Sequence, residues 1–154
     1  MKVWSNRSSE AWMTVEDGVA RLSIRGHLTA EESHEYFHQG PGVRIVEDAA
    51  CILVDYSDAR IDREWVPLLP QEGVHPAAVC MKPGALVVPE AKVDIYKELA
   101  WQMALRGVVR GIFSDGNLAR SWIKARRQFF SEQALQTQSS AQAWRAPACA
   151  AADQ

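Results

Sequence analysis

The chain has 154 residues, a formal charge of −2 and 47% hydrophobic residues, which predicts one domain with a single core large enough to need no staples. A net charge so close to zero gives no global attraction to nucleic acid or to an anionic bilayer. No apolar run approaches the roughly 20 residues that span a membrane, and "MKVWSNRSSEAW" has no apolar h-region, so neither a span nor a secretion signal is expected.

The first ten residues are polar and are expected to be flexible. "WMTVEDGVARLSIRG" then predicts a hairpin, with Asp17-Gly18 as the turn dipeptide. Ala20, Leu22 and Ile24 alternate with Arg21, Ser23 and Arg25, the period of a half-buried strand. Thr29-Ala30-Glu31-Glu32 is a capping box: the Thr29 hydroxyl can serve the Glu32 amide while the Glu32 carboxylate reaches back. The helix it opens stops at Gly40-Pro41-Gly42 after about three turns. "CILVDY" is continuously apolar from 51 to 54, as a strand covered on both faces should be.

A less regular stretch follows from 60 to 83, with a short helix conceivable near Asp62–Leu69 despite Pro67. "GALVVP" reads as a second buried strand. The next helix, about Glu90 to Arg106, starts past Pro89 and ends before Gly107, with Val93, Tyr96, Leu99, Ala100 and Met103 as its apolar stripe. "VVRGIF" is the last strand, and Ser114 or Asp115 caps a final helix to about Phe130. The Gln-, Ser- and Ala-rich remainder has no sustained periodicity. The domain organisation is therefore a flexible 1–10, an α/β domain over 11–133 and a flexible tail over 134–154. The α/β domain is a mixed sheet of about five strands, a hairpin followed by parallel crossovers, covered by three to four helices.

Cys51, Cys80 and Cys149 form no C-x-x-C pair, so no zinc knuckle or redox dithiol is indicated. Cys51 reads as a core thiol, and a reducing cytoplasm suits the set.

In this element order the chain resembles the STAS superfamily of bacterial anti-sigma-factor antagonists and their SpoIIAA-like relatives. The resemblance rests on "LVDYSDARID", with Asp55, Ser57, Ile61 and Asp62 at matching spacing, and on Phe113, Ser114, Asp115, Ala119, Trp122 and Ile123 in the closing strand and helix. It spans roughly residues 12 to 130. It implies a regulatory module that works through protein contacts, with Ser57, Asp58, Asp62, Arg63, Glu64 and Trp65 as the interaction loop. The chain departs from the family where the antagonists carry the phosphorylated Ser-Ser-Gly: Asp62 is followed here by Arg63, Glu64 and Trp65. A phosphorylation switch at that place is not expected.

Two other constellations carry chemistry. His34-Glu35-Tyr36-Phe37-His38 spells H-E-x-x-H, which on a helix could hold Zn²⁺ between His34 and His38 with Glu35 as base. His75 or Glu64 would have to supply the third ligand. Against this, Glu31 and Glu32 make the helix charged where a zinc-protease helix is apolar, and Pro41 occupies the position of the glycine that precedes the usual third ligand. The plainer reading is an amphipathic helix with Ala30 and Phe37 on the sheet and the histidines along its rim.

Arg120, Lys124 and Arg127 fall on one side of the last helix, with Arg126 nearby. They are either a docking surface for phosphate, an acidic partner or nucleic acid, or a solvated face with its cations towards the helix C-terminus, where the dipole favours them. Of the six tryptophans, Trp12 and Trp122 read as core. Trp101 falls off its helix's stripe and suits either a partner contact or a second covered face.

The function expected is thus a non-catalytic STAS-like interaction module, self-associating or binding a protein partner, with no cofactor, no metal, no nucleic acid and no membrane span. A carrier of a small apolar ligand, with a cavity around Trp65, Leu68 and Leu69, is the first alternative. A zinc-dependent hydrolase through His34, Glu35 and His38 is the second.

Overall fold

A computed structural model of the chain describes residues 2–5, 8–29, 32, 48–61, 82–105 and 107–143. Among the described residues its centre is a mixed sheet of six strands whose spatial order is the chain order. Strands β1 (Lys2–Ser5), β2 (Ser9–Glu16) and β3 (Val19–Leu28) pair antiparallel. Strands β4 (Cys51–Ile61), β5 (Gly84–Val87) and β6 (Arg110–Phe113) follow in parallel to β3 and to one another. Among the described residues two α-helices accompany them, α1 (Val93–Ala104), entered through a 3-10 turn at Glu90–Lys92, and α2 (Gly116–Ala143). The fold is α/β: a hairpin followed by parallel strands linked by crossovers.

The hairpin forms where the dipeptide Asp17-Gly18 sits, with both residues at positive φ, 54° and 76°. That geometry matches the right-handed twist of the two strands it joins. Thr29 and Glu32 make the reciprocal capping box: the Glu32 amide donates to the Thr29 hydroxyl at 3.3 Å and the Thr29 amide donates to the Glu32 carboxylate at 3.1 Å. The residues expected to form the rest of that helix, with Ala30, Phe37 and Gly40–Gly42, lie outside the described residues, as does the 62–69 segment.

Helix α1 ends in a Schellman arrangement around Gly107, with Gly107 N–H donating to Ala104 and Val108 N–H to Met103, which satisfies carbonyls the helix would otherwise leave open. The Asp115 carboxylate starts α2 by accepting from the amides of Asn117 and Leu118 at 2.6 and 3.2 Å.

Alternate residues of the strands feed two cores, one on each side of the sheet. Ile52, Val54, Tyr56 and Leu86 join Ala20, Leu22 and Ile24 beneath α1, whose Tyr96, Leu99 and Met103 are buried against them. Val93 packs at the margin, so the expected stripe is the packed one. Tyr56 and Tyr96 meet across this core with ring centroids 6.2 Å apart. On the other side Cys51, Leu53, Ala85 and Val87 lie beneath Ala119, Ile123 and Phe130 of α2. A strand sandwiched between two helical layers must be apolar on both faces, which is why "CILV" shows no alternation.

Three expectations need correction. Where polarity suggested a flexible beginning, Lys2–Ser5 adds a sixth strand at the sheet edge. It pairs with β2 through its backbone, and Lys2 and Glu10 meet across that edge at 2.7 Å. Helix α2 does not stop near Phe130 but runs to Ala143, about 42 Å at 1.5 Å per residue, into the stretch expected to be tail. Trp12 is not core: it is 43% exposed on the outer face of β2, where the Lys2 ammonium sits 5.5 Å from its ring. Even alternation places Trp12 opposite Ala11 and Met13, and those two are the buried set.

The β1 clasp predicts an acid response. Glu10 has its carboxyl pushed below the ordinary value by the Lys2 ammonium and then by a hydrogen bond from Trp12. A lowered carboxyl stabilises the folded form fully above the ordinary glutamate range, and the contribution is lost as pH falls through the lowered value. The protection factors of the β1 amides, their exchange rates relative to the intrinsic rate at each pH, should therefore fall only on acidification below the usual glutamate range. In Glu10→Gln the protection should already be reduced a few-fold at neutral pH; unchanged β1 protection in that variant would disprove the clasp.

Candidate functional site

Helix α2 covers only part of the sheet. It lies over β4, β5 and β6, and an aromatic row of Phe113, Trp122 and Phe130, with successive centroids 5.8 and 5.6 Å apart, fixes it there. The same face of β2 and β3 carries Thr14, Glu16, Arg21 and Arg25, all exposed. Where the helix stops short of β3 a cleft of about 340 Å³ opens. Its floor is Val19, Leu53 and Ile123; its rims are Arg120, Ser121, Lys124 and Arg127 from α2 and Glu16, Asp17 and Arg21 from the hairpin.

The structure thus gathers the three cations singled out on the last helix and adds Arg21, which the sequence reading did not select. The available signal for Arg21 was its place on the polar side of the alternation in β3. Residues 120, 124 and 127 share one side of α2 because they are spaced i, i+4, i+7. Four cations line the cleft against two carboxylates. Arg21 meets Glu16 at 3.3 Å and Arg127 meets Asp17 at 3.4 Å. Arg120 donates to the Asn117 side-chain oxygen at 2.6 Å, and Lys124 makes no ion pair among the described residues. Arg126 belongs elsewhere, its guanidinium stacked 4.5 Å from the Trp122 ring.

The extra length of α2 overturns one explanation of these charges. Because the helix continues to Ala143, residues 120–127 lie in its first half. The dipole attraction for cations acts only in the last turn, so it does not account for them. Like charges four apart on a helix repel by a few tenths of a kcal/mol. The stripe is a local cost that the fold of α2 does not require.

The expected interaction loop is only partly described. Asp55 accepts from both the Ser57 amide (2.9 Å) and the Ser57 hydroxyl (2.5 Å), a side-chain turn of the kind Asp makes with its own backbone two residues on. Opposite Ser23 and Arg25 stand Asp55 and Asp58, so Tyr56 and Ser57 both face Ile24 and form a bulge. Arg25 and Asp58 approach to 3.9 Å with both side chains well exposed. Arg25 lies four residues past Arg21, about 13 Å along the strand, so Ser57 and Asp58 are separate from the cleft. Asp62, Arg63, Glu64 and Trp65 lie outside the described residues, as do His34, Glu35, His38, His75, Leu68 and Leu69.

Among the described residues no group of three or more His, Cys, Asp or Glu gathers as a metal site would need. Cys51 is a free thiol, 1% exposed, and burial pushes its pKa up. That is the direction away from a nucleophilic thiolate. Cys80 and Cys149 lie outside the described residues. Trp101 stands clear of its packed stripe at 60% exposure, and Ile95 and Leu105 are exposed as well. No described helix is long and apolar enough to cross a membrane. Comparison with family models, curated proteins and solved structures returns no match.

Proposed function

We propose that this chain is a STAS-like interaction module that binds a partner through the cleft beside α2 and carries out no reaction there. The observation that supports this is the cationic stripe of Arg120, Lys124 and Arg127 facing Arg21 across an apolar floor. Guanidinium groups hold and orient anions through their fork of donors and keep their proton while doing so, which suits recognition and not proton transfer. Ser57, exposed at the bulge of the strand that carries the resemblance to anti-sigma-factor antagonists, is a second contact point, separate from the cleft. With Arg63, Glu64 and Trp65 where the antagonists carry their phosphorylated serines, binding in this reading is constitutive.

The test compares the wild-type chain with Arg120→Glu/Lys124→Glu/Arg127→Glu as bait in affinity capture from the cells that make it. All three side chains are exposed, so the variant should keep its far-ultraviolet circular dichroism, and its unfolding free energy should stay within about 1 kcal/mol of the wild type. A partner retained by the wild type at near-stoichiometric level and lost by the variant is the expected result. Identical capture by both proteins would refute the assignment of the cleft.

A further inference from the structure

We infer that the partner's contribution to the cleft is an acidic peptide segment, whose carboxylates engage Arg120 and Lys124 beside those of Glu16 and Asp17. This rests on the interaction-module reading and gives it a chemistry. The molecule already displays that chemistry within itself. Two consecutive carboxylates of the β2–β3 turn, Glu16 and Asp17, reach into the cleft and take Arg21 and Arg127 at 3.3 and 3.4 Å. Arg120 has only the neutral Asn117 amide oxygen, and Lys124 stands between Arg120 and Arg127 on the stripe.

The spacing suits a short segment. Along the helix axis Arg120 and Lys124 are about 6 Å apart and Arg120 and Arg127 about 10.5 Å. In an extended peptide every second side chain points the same way, about 6.6–7 Å from the last. Carboxylates two residues apart would therefore meet Arg120 and Lys124 together. The floor of Val19, Leu53 and Ile123 offers apolar surface to the methylene stems of glutamate. The stripe is too short for nucleic acid, which needs a cationic track along many phosphates.

The turn carboxylates then act as an internal competitor. Both ion pairs are exposed, with side-chain accessibilities of 43% and 62% for Arg21 and Glu16, and 50% and 76% for Arg127 and Asp17. Pairs so open to solvent contribute little and exchange readily with an incoming carboxylate. Removing them should improve binding, an outcome that simple loss of structure would not give.

The experiment is fluorescence anisotropy with a labelled oligoglutamate peptide at low salt, repeated as salt rises. The wild type should bind, and more weakly at each higher salt concentration. Glu16→Gln/Asp17→Asn should bind roughly three- to tenfold more tightly, the yield expected from releasing two exposed pairs. Asn is well tolerated at a positive-φ turn position, so this variant should keep the hairpin. Asp94→Asn/Glu98→Gln, which changes the net charge equally from the exposed surface of α1, should leave affinity unchanged. Arg120→Glu/Lys124→Glu should weaken binding more than tenfold. Equal tightening by the α1 variant, wild-type affinity in Arg120→Glu/Lys124→Glu, or tighter binding of an oligothymidylate of equal charge would each overturn the inference. Partner capture that depends on the stripe, together with no oligoglutamate binding, would leave the module reading standing and remove only the acidic segment.

Discussion

A Gly84→Ala chain is expected not to reach the native sheet. Gly84 opens β5 between β4 and β6. Its amide donates to Val109 at 2.9 Å, while the amide of its neighbour across the sheet, Ile52, donates to Pro83 at 3.0 Å. A methyl group on Gly84 would fall on the Ile52 carbonyl oxygen, with the Ile52 carbonyl carbon at 2.8 Å and nitrogen at 2.9 Å. The obstacle is backbone in the middle of the sheet, and no rotamer change relieves it. Parting β4 from β5 would break hydrogen bonds and open both cores at once, at a cost of about 4 kcal/mol or more. That is a large share of the roughly 5–15 kcal/mol that holds an ordinary domain. Urea denaturation would read it as collapse of the midpoint or as insoluble protein. Gly116→Ala is the control: its methyl would meet only the Arg120 guanidinium, at 3.5 Å, and the midpoint should hardly move. A Gly84→Ala protein that unfolds with the wild type would disprove this account of the β4–β5 contact.

The second large effect is expected at Phe130. Its side chain is completely buried, at the end of the aromatic row from Phe113 through Trp122. Among the described residues it is the last of α2 in the core against the sheet. Truncation to alanine should cost about 3–5 kcal/mol through lost burial and the cavity left behind, a fall of roughly 10 °C in Tm for a chain of this size. Its neighbour Phe129 is 49% exposed, and Phe129→Ala should cost no more than about 1 kcal/mol. Because Phe130 pins the helix that forms one rim of the cleft, Phe130→Ala should also lose oligoglutamate affinity before it unfolds globally. Equal stability of the two alanine variants would show that α2 is anchored elsewhere.

Much of the architecture was legible because its signals are local. Asp17-Gly18 can hardly be anything but a tight turn, Thr29 and Glu32 declare a helix start, and the stripe from Val93 to Met103 fixes the buried side of α1. Strand β1 was not legible. It is only four residues long, within a largely polar beginning, and it forms by pairing with β2, a partner that does not show in its own residues. The second half of α2 was hidden for a similar reason: Gln, Ser and Ala there give no apolar period, and the helix persists as an extension of a first half anchored by Ala119, Ile123 and Phe130. The cleft was half legible. Arg120, Lys124 and Arg127 announce themselves as one side of a helix, but Arg21 joins them only through the placing of α2 over β4 and short of β3. No one-dimensional pattern carries that apposition.

Because sheet order repeats chain order from β1 to β6, assembly can proceed in the direction of synthesis. The hairpin closes first, through the shortest loop and on a microsecond scale. Each later strand then docks on the free edge left by the one before it, and among the described strands none has to be inserted between two already joined. Loop closure therefore never spans more than one crossover, and its entropic toll grows only slowly with crossover length. The hazard moves along with the growing edge. It peaks when β4, apolar on both faces, has emerged and neither β5 nor α2 exists to cover it, and that is when a nascent chain most needs shielding from aggregation.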